Sequence, residues 1–411
     1  MRGIGYFREK LRGKRTRVLT RYKYYEMKNT VPDFGISTPD ELRSFSNVLG
    51  WCAKGVDALA DRLRFRGFDD DFFNVGEIYA VNNRDILFSS AILGALIGSC
   101  DFIYISAGEN GYPRMQVIDG ANATGEIDPI TYLLREGYAV LERESWPDGE
   151  PTVEAYFYPG MTEIWRKGAR APERYKNAAP YALLVPIIYR PDARRPFGHS
   201  RISRACMSIV DSAARTLKRS EISAEFYSFP QKYVLGFDGL DENGEKVDRW
   251  KMSISTLMTI SRDEDGGLPT VGEFKQQSMQ PHTDQLRMFA ALFAGETGLT
   301  LDDLGFATDN PSSAEAIKAG HESLRLAVRK AQDVFGVGFI NAGYLAACVR
   351  DDRPYLRYQL RETIAKWEPA FEPDAAQLGH IGDGIAKINT AVPGYISSSS
   401  LYDLTGIKPG V

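Results

Sequence analysis

The sequence has few metal ligands, and those it has are scattered. The four cysteines share no CxxC or CxxxC spacing, and the histidines are equally dispersed; they are Cys52, Cys100, Cys206, Cys348, His199, His282, His321 and His380. Zinc sites need closely spaced ligands, and disulfide frameworks need a high density of cysteine. We therefore expect free thiols in a reducing compartment, with no metal site and no cofactor.

Long apolar runs are also missing. The longest, Ile86 to Ile97, is too short to cross a bilayer and contains Ser89, Ser90 and Gly94. The first residues, MRGIGYFREKLRGKRTRV, lack the apolar centre of a secretory signal. The sequence therefore predicts a soluble protein, made inside the cell, with no membrane partner.

An excess of positive charge is absent as well. The 411 residues carry a net charge of -4, with 43% hydrophobic and 25% charged residues. This composition is typical of a globular protein of two or three packed regions. A protein that grips nucleic acid over its whole surface is basic, so any DNA contact is expected to be local or transient.

Positive charge is concentrated in the first segment, which carries nine Lys or Arg residues against Glu9 between Arg2 and Lys23. Such an arm can bind phosphate or an acidic partner. The alternative is a solvated helix followed by the aromatic stretch YKYYEM, which would dock onto the body of the protein.

Catalytic motifs fail at decisive positions. His321-Glu322 begins an HExxH pattern, but Arg325 stands where the second histidine would be. Gly13-Lys14 lacks the remainder of a phosphate-binding loop. The acidic runs 69–71 and 263–265 favour solvated loops, although a metal-dependent nucleic-acid-processing enzyme built on them stays open as an alternative. The sequence predicts that the protein is not an enzyme.

The first half of the chain has the pattern of an α+β fold. Apolar spacings of three and four predict helices over 41–65 and 85–97. Alternating residues predict strands over 102–107, 114–119, 139–144, 152–158, 164–165 and 181–188. The turn residues Pro147-Asp148-Gly149 predict a hairpin within this antiparallel region.

The second half is predicted to be helix, β-rich insert, helix, tight loop and helix. The first helix follows a possible N-cap at Ser200, and the second begins near Pro281. The third is expected to start at Asn310-Pro311 and to end at Gly336. Beyond Trp367 strong patterns fade, which indicates a tail that is mobile or held by neighbouring molecules.

These stretches resemble the portal proteins of tailed phages, in the siphophage branch. The matching segments are RYKYYE, NVLGWCAKGVDALADRLRFRGF, PFGHSRISRACMSIVDSAARTLKRSEISAEFYSFPQKYVLGFD, Trp250 and LRMFAALFAGETGLTLDDLGFATDNPSSAEAIKAGHESL. The most specific part is the TGL-x4-LG loop followed by NPSSAEAI. The order and spacing of the matching segments agree with the family from about Tyr22 to Phe335, but the tail beyond Tyr344 does not align.

The resemblance implies a ring, with twelve subunits expected, at the capsid portal vertex. It implies passage of double-stranded DNA without sequence specificity during genome packaging and ejection. The implied partners are a terminase large subunit, a head-completion or adaptor protein, and the major capsid and scaffolding proteins. The implied location is the virion, with the host cytoplasm during assembly. Another capsid or head-completion protein is a further alternative, which chain length and the helix-insert-helix core disfavour.

The resemblance implies the regions of a family portal, which we assign to this sequence by the order of its predicted elements. They fall at residues 1–198 (wing), 199–228 (first stem helix), 229–280 (clip), 281–298 (second stem helix), 299–311 (tunnel loop), 312–336 (long helix behind the loop) and 337–411 (wing return, crown and tail).

Two groups of site residues follow from this placement. The tunnel-loop candidates are Leu301, Asp302, Asp303, Leu304, Gly305, Phe306, Asp309 and Asn310. The loop carries aspartates and no Lys or Arg, so at a constriction it would repel phosphate. The basic stem candidates for DNA or subunit contacts are Arg201, Arg204, Arg215, Lys218 and Arg219.

Overall fold

The described strands between Cys100 and Ile188 form two antiparallel sheets. The computed structural model describes residues 1–32, 46–108, 111–228, 232–235, 270–273, 278–306, 319–371, 373 and 375–407. The strands in this part of the chain are β2 (Cys100–Ser106), β3 (Arg114–Ile118), β4 (Ala123–Ile127), β5 (Leu134–Arg143), β6 (Pro151–Tyr158), β7 (Met161–Arg166), β8 (Glu173–Lys176) and β9 (Leu184–Ile188), and β1 (Phe65–Asp69) precedes them.

One sheet has three strands in the order β3-β2-β9, and the other is a five-stranded meander from β4 to β8. The predicted hairpin at Pro147-Asp148-Gly149 is confirmed, because β5 and β6 pair in antiparallel register on either side of it. β4 and β8 were missed. β8 is exposed along its whole length, so no alternation of buried residues marks it in the sequence.

Together with the helices, these sheets give the α+β fold class, as predicted. The described helices are α1 (Ile4–Tyr25), α2 (Trp51–Ala60), α3 (Val75–Val81), α4 (Arg84–Gly98), α5 (Arg204–Ser228), α6 (Gln280–Thr297), α7 (Glu322–Arg350), α8 (Ala375–Ala391) and α9 (Ser398–Thr405). β10 (Lys232–Leu235) pairs with β11 (Thr270–Glu273), and β12 (Ile364–Trp367) pairs with β1.

The predicted helix over 41–65 is wrong in its extent. Helix α2 ends at Ala60, and residues 33–45 lie outside the described part of the chain. Phe65 belongs to β1 and lies opposite Trp367 in the pairing with β12. A strand whose partner is some 300 residues away has no local signature, so the apolar spacing of Leu63 and Phe65 was assigned to the helix.

The predicted end of the third long helix at Gly336 is also wrong, because α7 continues to Arg350. Gly336 lies inside the helix at a close contact, where an added Cβ would stand 2.8 Å from the Ala365 Cβ. Glycine here permits close packing and does not end the helix. From Gly338 to Cys348 every residue of α7 is buried.

The chain divides into two compact units by its internal contacts. One comprises residues 1–29, 50–208 and 291–411, and the other comprises residues 30–49 and 209–290. The first unit holds the two sheets, with α4 and α7 packed against the three-stranded sheet. The second contains β10 and β11 and the larger part of α5. The predicted wing, stem, clip and crown assignments stay predictions.

The tail has more structure than the sequence indicated. Lys366 and Arg66 donate to the Asp403 carboxylate at 2.7 and 2.8 Å, and the Tyr402 hydroxyl donates to Glu368 at 2.9 Å. These contacts attach α9 to the β1-β12 pair of the same chain. In the described part of the chain, no helix is long and apolar enough to cross a membrane.

Candidate functional site

The α5 helix begins later than predicted. Ser200 does not cap it: the Ser200 hydroxyl donates to the Ile97 carbonyl at 2.6 Å. Ser203 takes the capping role, since its hydroxyl accepts from the Cys206 amide at 3.1 Å and helix α5 starts at Arg204. At 25 residues α5 is about 37 Å long at 1.5 Å per residue.

Arg201 lies just before α5 and is bound by the backbone of its own unit. Its Nε donates to the Gly55 carbonyl at 3.1 Å, and its Nη2 donates to the carbonyl of Thr297. Thr297 is the last residue of α6, where a helix leaves carbonyls unpaired and carries partial negative charge. Arg201 therefore connects α2 to the end of α6.

The other basic candidates lie along α5. Arg204 is exposed at its first turn, whereas Arg215, Lys218 and Arg219 are half-buried. The Arg215 guanidinium donates to the Ser212 hydroxyl at 2.9 Å. Their role as DNA or subunit contacts stays a prediction.

The tunnel-loop candidates are described as far as Phe306, and Asp309 and Asn310 lie outside the described residues. Residues Asp302–Leu304 form a 3-10 turn that ends at Gly305, whose φ is +87°. The Phe306 ring lies 6.5 Å from that of Trp51. The loop is therefore a defined turn that packs on α2.

The two described aspartates of this loop have different environments. The Asp303 carboxylate accepts hydrogen bonds from both the amide and the hydroxyl of Thr300 at 2.9 Å, and His321 Nδ1 lies 3.8 Å away. Asp302 is exposed. Asp303 therefore holds the turn together, and Asp302 is the aspartate whose charge faces solvent.

The basic N-terminal segment is a helix that docks on the five-stranded sheet. Phe7 and Leu11 of α1 are buried in a cluster with Tyr138, Val140 and Tyr156. The basic segment is therefore a helix, as the alternative of a solvated helix predicted, but one side of this helix is buried against the sheet.

Basic side chains on this part of α1 pair with carboxylates around the meander. Arg8 donates to Glu154 from Nε at 2.9 Å and from Nη2 at 2.5 Å, and Arg15 pairs with Asp148 at 3.2 Å. The Glu154 carboxylate also accepts from the Tyr138 hydroxyl. These contacts with Glu154 raise the pKa of Arg8. One part of the positive charge of α1 is thus neutralised within the chain.

The four cysteines are buried free thiols. Burial raises the pKa of Cys206 and raises that of Cys348 to about 11, so both stay protonated near neutral pH. Within the described ranges, no three His, Cys, Asp or Glu side chains come together as ligands for a metal ion.

Two curated proteins are similar to this chain over most of its length. The portal protein of Mycobacterium phage D29 is 25% identical over 346 residues, which is 79% of this chain and 69% of the phage protein. The portal protein of Mycobacterium phage L5 is 25% identical over 336 residues, or 76% of this chain and 67% of that protein. This chain is similar to both of these phage portal proteins. The resemblance predicted from its sequence is confirmed.

Among solved structures, this chain is similar to one from the neck of a native gene transfer agent particle computed with C12 symmetry. The identity is 14%, the TM-score is 0.47, and the match covers 88% of this chain and 90% of the other. A chain from the virion of the native gene transfer agent matches with 15% identity and a TM-score of 0.45, over 96% of this chain and 100% of that one. No family model matches the sequence.

Proposed function

We propose that this chain forms the portal ring of a phage capsid, a structural channel through which the genome is packaged and ejected. The observation that carries the proposal is the similarity to two mycobacteriophage portal proteins over three quarters of the chain. A ring of twelve subunits at the portal vertex of the virion, assembled in the host cytoplasm, is the expected form. Its role is not enzymatic.

The proposed partners follow from the same relationship. They are double-stranded DNA in the channel, a terminase large subunit that drives packaging, a head-completion or adaptor protein, and the major capsid and scaffolding proteins. The loop from Leu299 onward, with the exposed Asp302, is the proposed tunnel loop. Its negative charge would repel DNA phosphates and limit drag on the moving genome.

The ring is tested by native mass measurement and electron microscopy of the purified protein. The expected result is a closed ring with a central hole. A protein that stays monomeric at high concentration, and that shows metal-dependent nuclease activity, would contradict the proposal and support the enzyme alternative.

The loop assignment is tested by comparing Asp302→Lys with Asp303→Asn in the assembled ring. Asp302→Lys should preserve the ring and change DNA packaging or retention, because only an exposed charge is reversed. Asp303→Asn should instead weaken the turn, because the charged oxygen that accepts both Thr300 hydrogen bonds becomes a neutral amide oxygen, a weaker acceptor. Loss of the ring with Asp302→Lys would show that this position is a subunit contact.

A further inference from the structure

A second basic stripe runs along α1, on a different face of the helix from Arg8 and Arg15. It consists of Lys10, Lys14, Arg17 and Arg21, at spacings of four, three and four residues. These spacings place the four cations on one face of a helix. The eleven steps from Lys10 to Arg21 correspond to about 16.5 Å along the axis at 1.5 Å per residue.

This stripe lines one wall of an open cleft of about 1190 Å³. The other walls include Arg195, Phe197 and Arg204, the last at the start of α5. Six lining residues are Lys or Arg, whereas Glu9 is the sole acidic residue among the described residues that line it. The cleft therefore concentrates positive charge on a chain whose net charge is -4.

Among the described residues, most of these cations have no carboxylate partner. Lys10 donates to the Gly125 carbonyl at 2.7 Å and lies 3.4 Å from the Glu126 carboxylate, and Arg21 donates to the Gly98 carbonyl at 3.0 Å. Across the described residues, no carboxylate pairs with Lys14 or with Arg17. The same holds for Arg204. This differs from Arg8 and Arg15, which each have a carboxylate partner.

The cations are also close enough to disfavour each other's charge. The pKa of Lys14 is lowered to about 8, mainly by burial; the neighbouring Lys10 acts in the same direction, and Cys100, Asp101 and Asp119 offset part of the effect. Burial also lowers the pKa of Arg21, with contributions from Arg17 and Arg195. Crowded cations without counter-charge are stabilised when an anion binds among them.

We propose that this cleft binds the phosphodiester backbone of a nucleic acid strand. A strand in a duplex presents one phosphate per 3.4 Å of axis, so a stripe of about 16.5 Å faces roughly five phosphates. Guanidinium groups on both walls can form paired hydrogen bonds with phosphate oxygens. The rings of Tyr6 and Phe197 add apolar surface to the lining.

An acidic polypeptide is the competing occupant, and the pattern of charge favours the nucleic acid. Cations at regular helical intervals match an anion with a fixed repeat, which a sugar-phosphate backbone has. Carboxylates of a peptide occur at positions set by its sequence and on flexible side chains. The inference rests on the proposed function and extends it, since it names a surface formed mainly by α1, with Arg204 of the predicted stem on the facing wall, that would hold the same DNA.

The experiment measures binding of a fluorescent duplex of about 20 base pairs, and of the matching single strand, to the purified full chain by anisotropy over a series of salt concentrations. The test variants are Arg17→Gln and Arg204→Gln, on opposite walls of the cleft. The matched control is Arg12→Gln, an equally exposed arginine of α1 that does not line the cleft. Native mass measurement of each variant reports ring assembly separately.

Each cleft variant should weaken binding roughly fivefold to tenfold at 0.1 M salt and reduce the salt slope by about 0.9, while Arg12→Gln stays within about twofold of the parent. The duplex and the single strand show which form the cleft prefers. Equal effects of Arg12→Gln and Arg17→Gln would overturn the proposal, as would no effect of Arg17→Gln and Arg204→Gln.

A third arm adds a poly-glutamate peptide as competitor. The peptide's ability to displace the duplex is compared with that of inorganic pyrophosphate and of unlabelled DNA. If the peptide is equally effective against the parent protein but not against Arg17→Gln, the cleft is a site for acidic protein and the assignment to nucleic acid is wrong. Failure of the parent protein to bind DNA while it forms an intact ring would refute the cleft proposal alone, whereas absence of a ring in the parent would refute the proposed function.

Discussion

Helices α1 and α7 are both long, but different forces hold them to the rest of their unit. Of the 22 residues of α1, only Phe7, Leu11 and Val18 are buried among those described, and ion pairs surround this narrow stripe. In α7 every residue from Gly338 to Cys348 is buried, and Gly336, Gly338 and Gly343 allow neighbouring elements to approach closely. A helix held mainly at its surface keeps side chains available for ligands, and a helix inside the core does not.

The largest expected effect comes from adding one methyl group to α7. Gly343→Ala would place a Cβ 2.0 Å from Cγ1 of Val75, so the helices must separate. We expect a loss of roughly 1–3 kcal/mol in the free energy of unfolding, measured by urea denaturation at fixed protein concentration.

The matched control for this change is Gly295→Ala in α6. An added Cβ at Gly295 has nothing within 4 Å, and the residue is exposed. This substitution should stabilise the protein by about 0.5–1 kcal/mol, because alanine favours helix more than glycine does. If both variants lost the same stability, close packing at Gly343 would not be the cause.

A smaller effect is expected from the ion pair that attaches α1. Arg8→Gln removes the paired hydrogen bonds to Glu154. The Arg8 side chain is 47% exposed and the Glu154 side chain is 15% exposed. A partly exposed ion pair contributes about 1 kcal/mol or less to the free energy of unfolding. A double-mutant cycle with Glu154→Gln measures the coupling, and a coupling well above this range would mean that charge dominates the docking of α1.

The smallest expected effect concerns the pH dependence of the free energy of unfolding, to which Lys14 contributes. Its pKa is about 8 in the folded chain, because burial disfavours the ammonium, against an ordinary value of 10.5. Between these two values the unfolded chain binds more protons, so stability should rise as pH increases from about 8 to 10.5. Lys14→Met should reduce this rise in the urea midpoint, whereas Lys23→Met, an exposed lysine of α1, should leave it unchanged. An identical pH profile for the parent and Lys14→Met would contradict the buried position of the ammonium.

Much of the architecture was predictable where local patterns are strong. The helix expected over 85–97 is α4, and the hairpin at Pro147-Asp148-Gly149 joins β5 and β6. Pro281 lies in the first turn of α6, as its fixed φ predicts. In each case the signal comes from residues adjacent in the chain, which interact before any tertiary contact forms.

The candidate sites were less predictable, because they depend on which groups the fold brings together. Arg201 was placed among possible DNA contacts, but its guanidinium binds the carbonyls of Gly55 and Thr297. The spacing of Lys10, Lys14, Arg17 and Arg21 can be recognised in the sequence as one face of a helix. What could not be read there is that Arg195 and Arg204 would face it across a cleft.

The α+β class, the basic character of α1 and the resemblance to portal proteins could be predicted from the sequence alone, since they depend on residue types and their order. Only the tertiary structure decided that Gly336 lies within a helix and that Asp303 holds its turn while Asp302 is exposed. It also decided that one set of α1 cations is neutralised while another faces an open cleft. The physical reason is that packing distances and charge pairing depend on residues far apart in the chain, whose proximity is fixed when the whole unit folds.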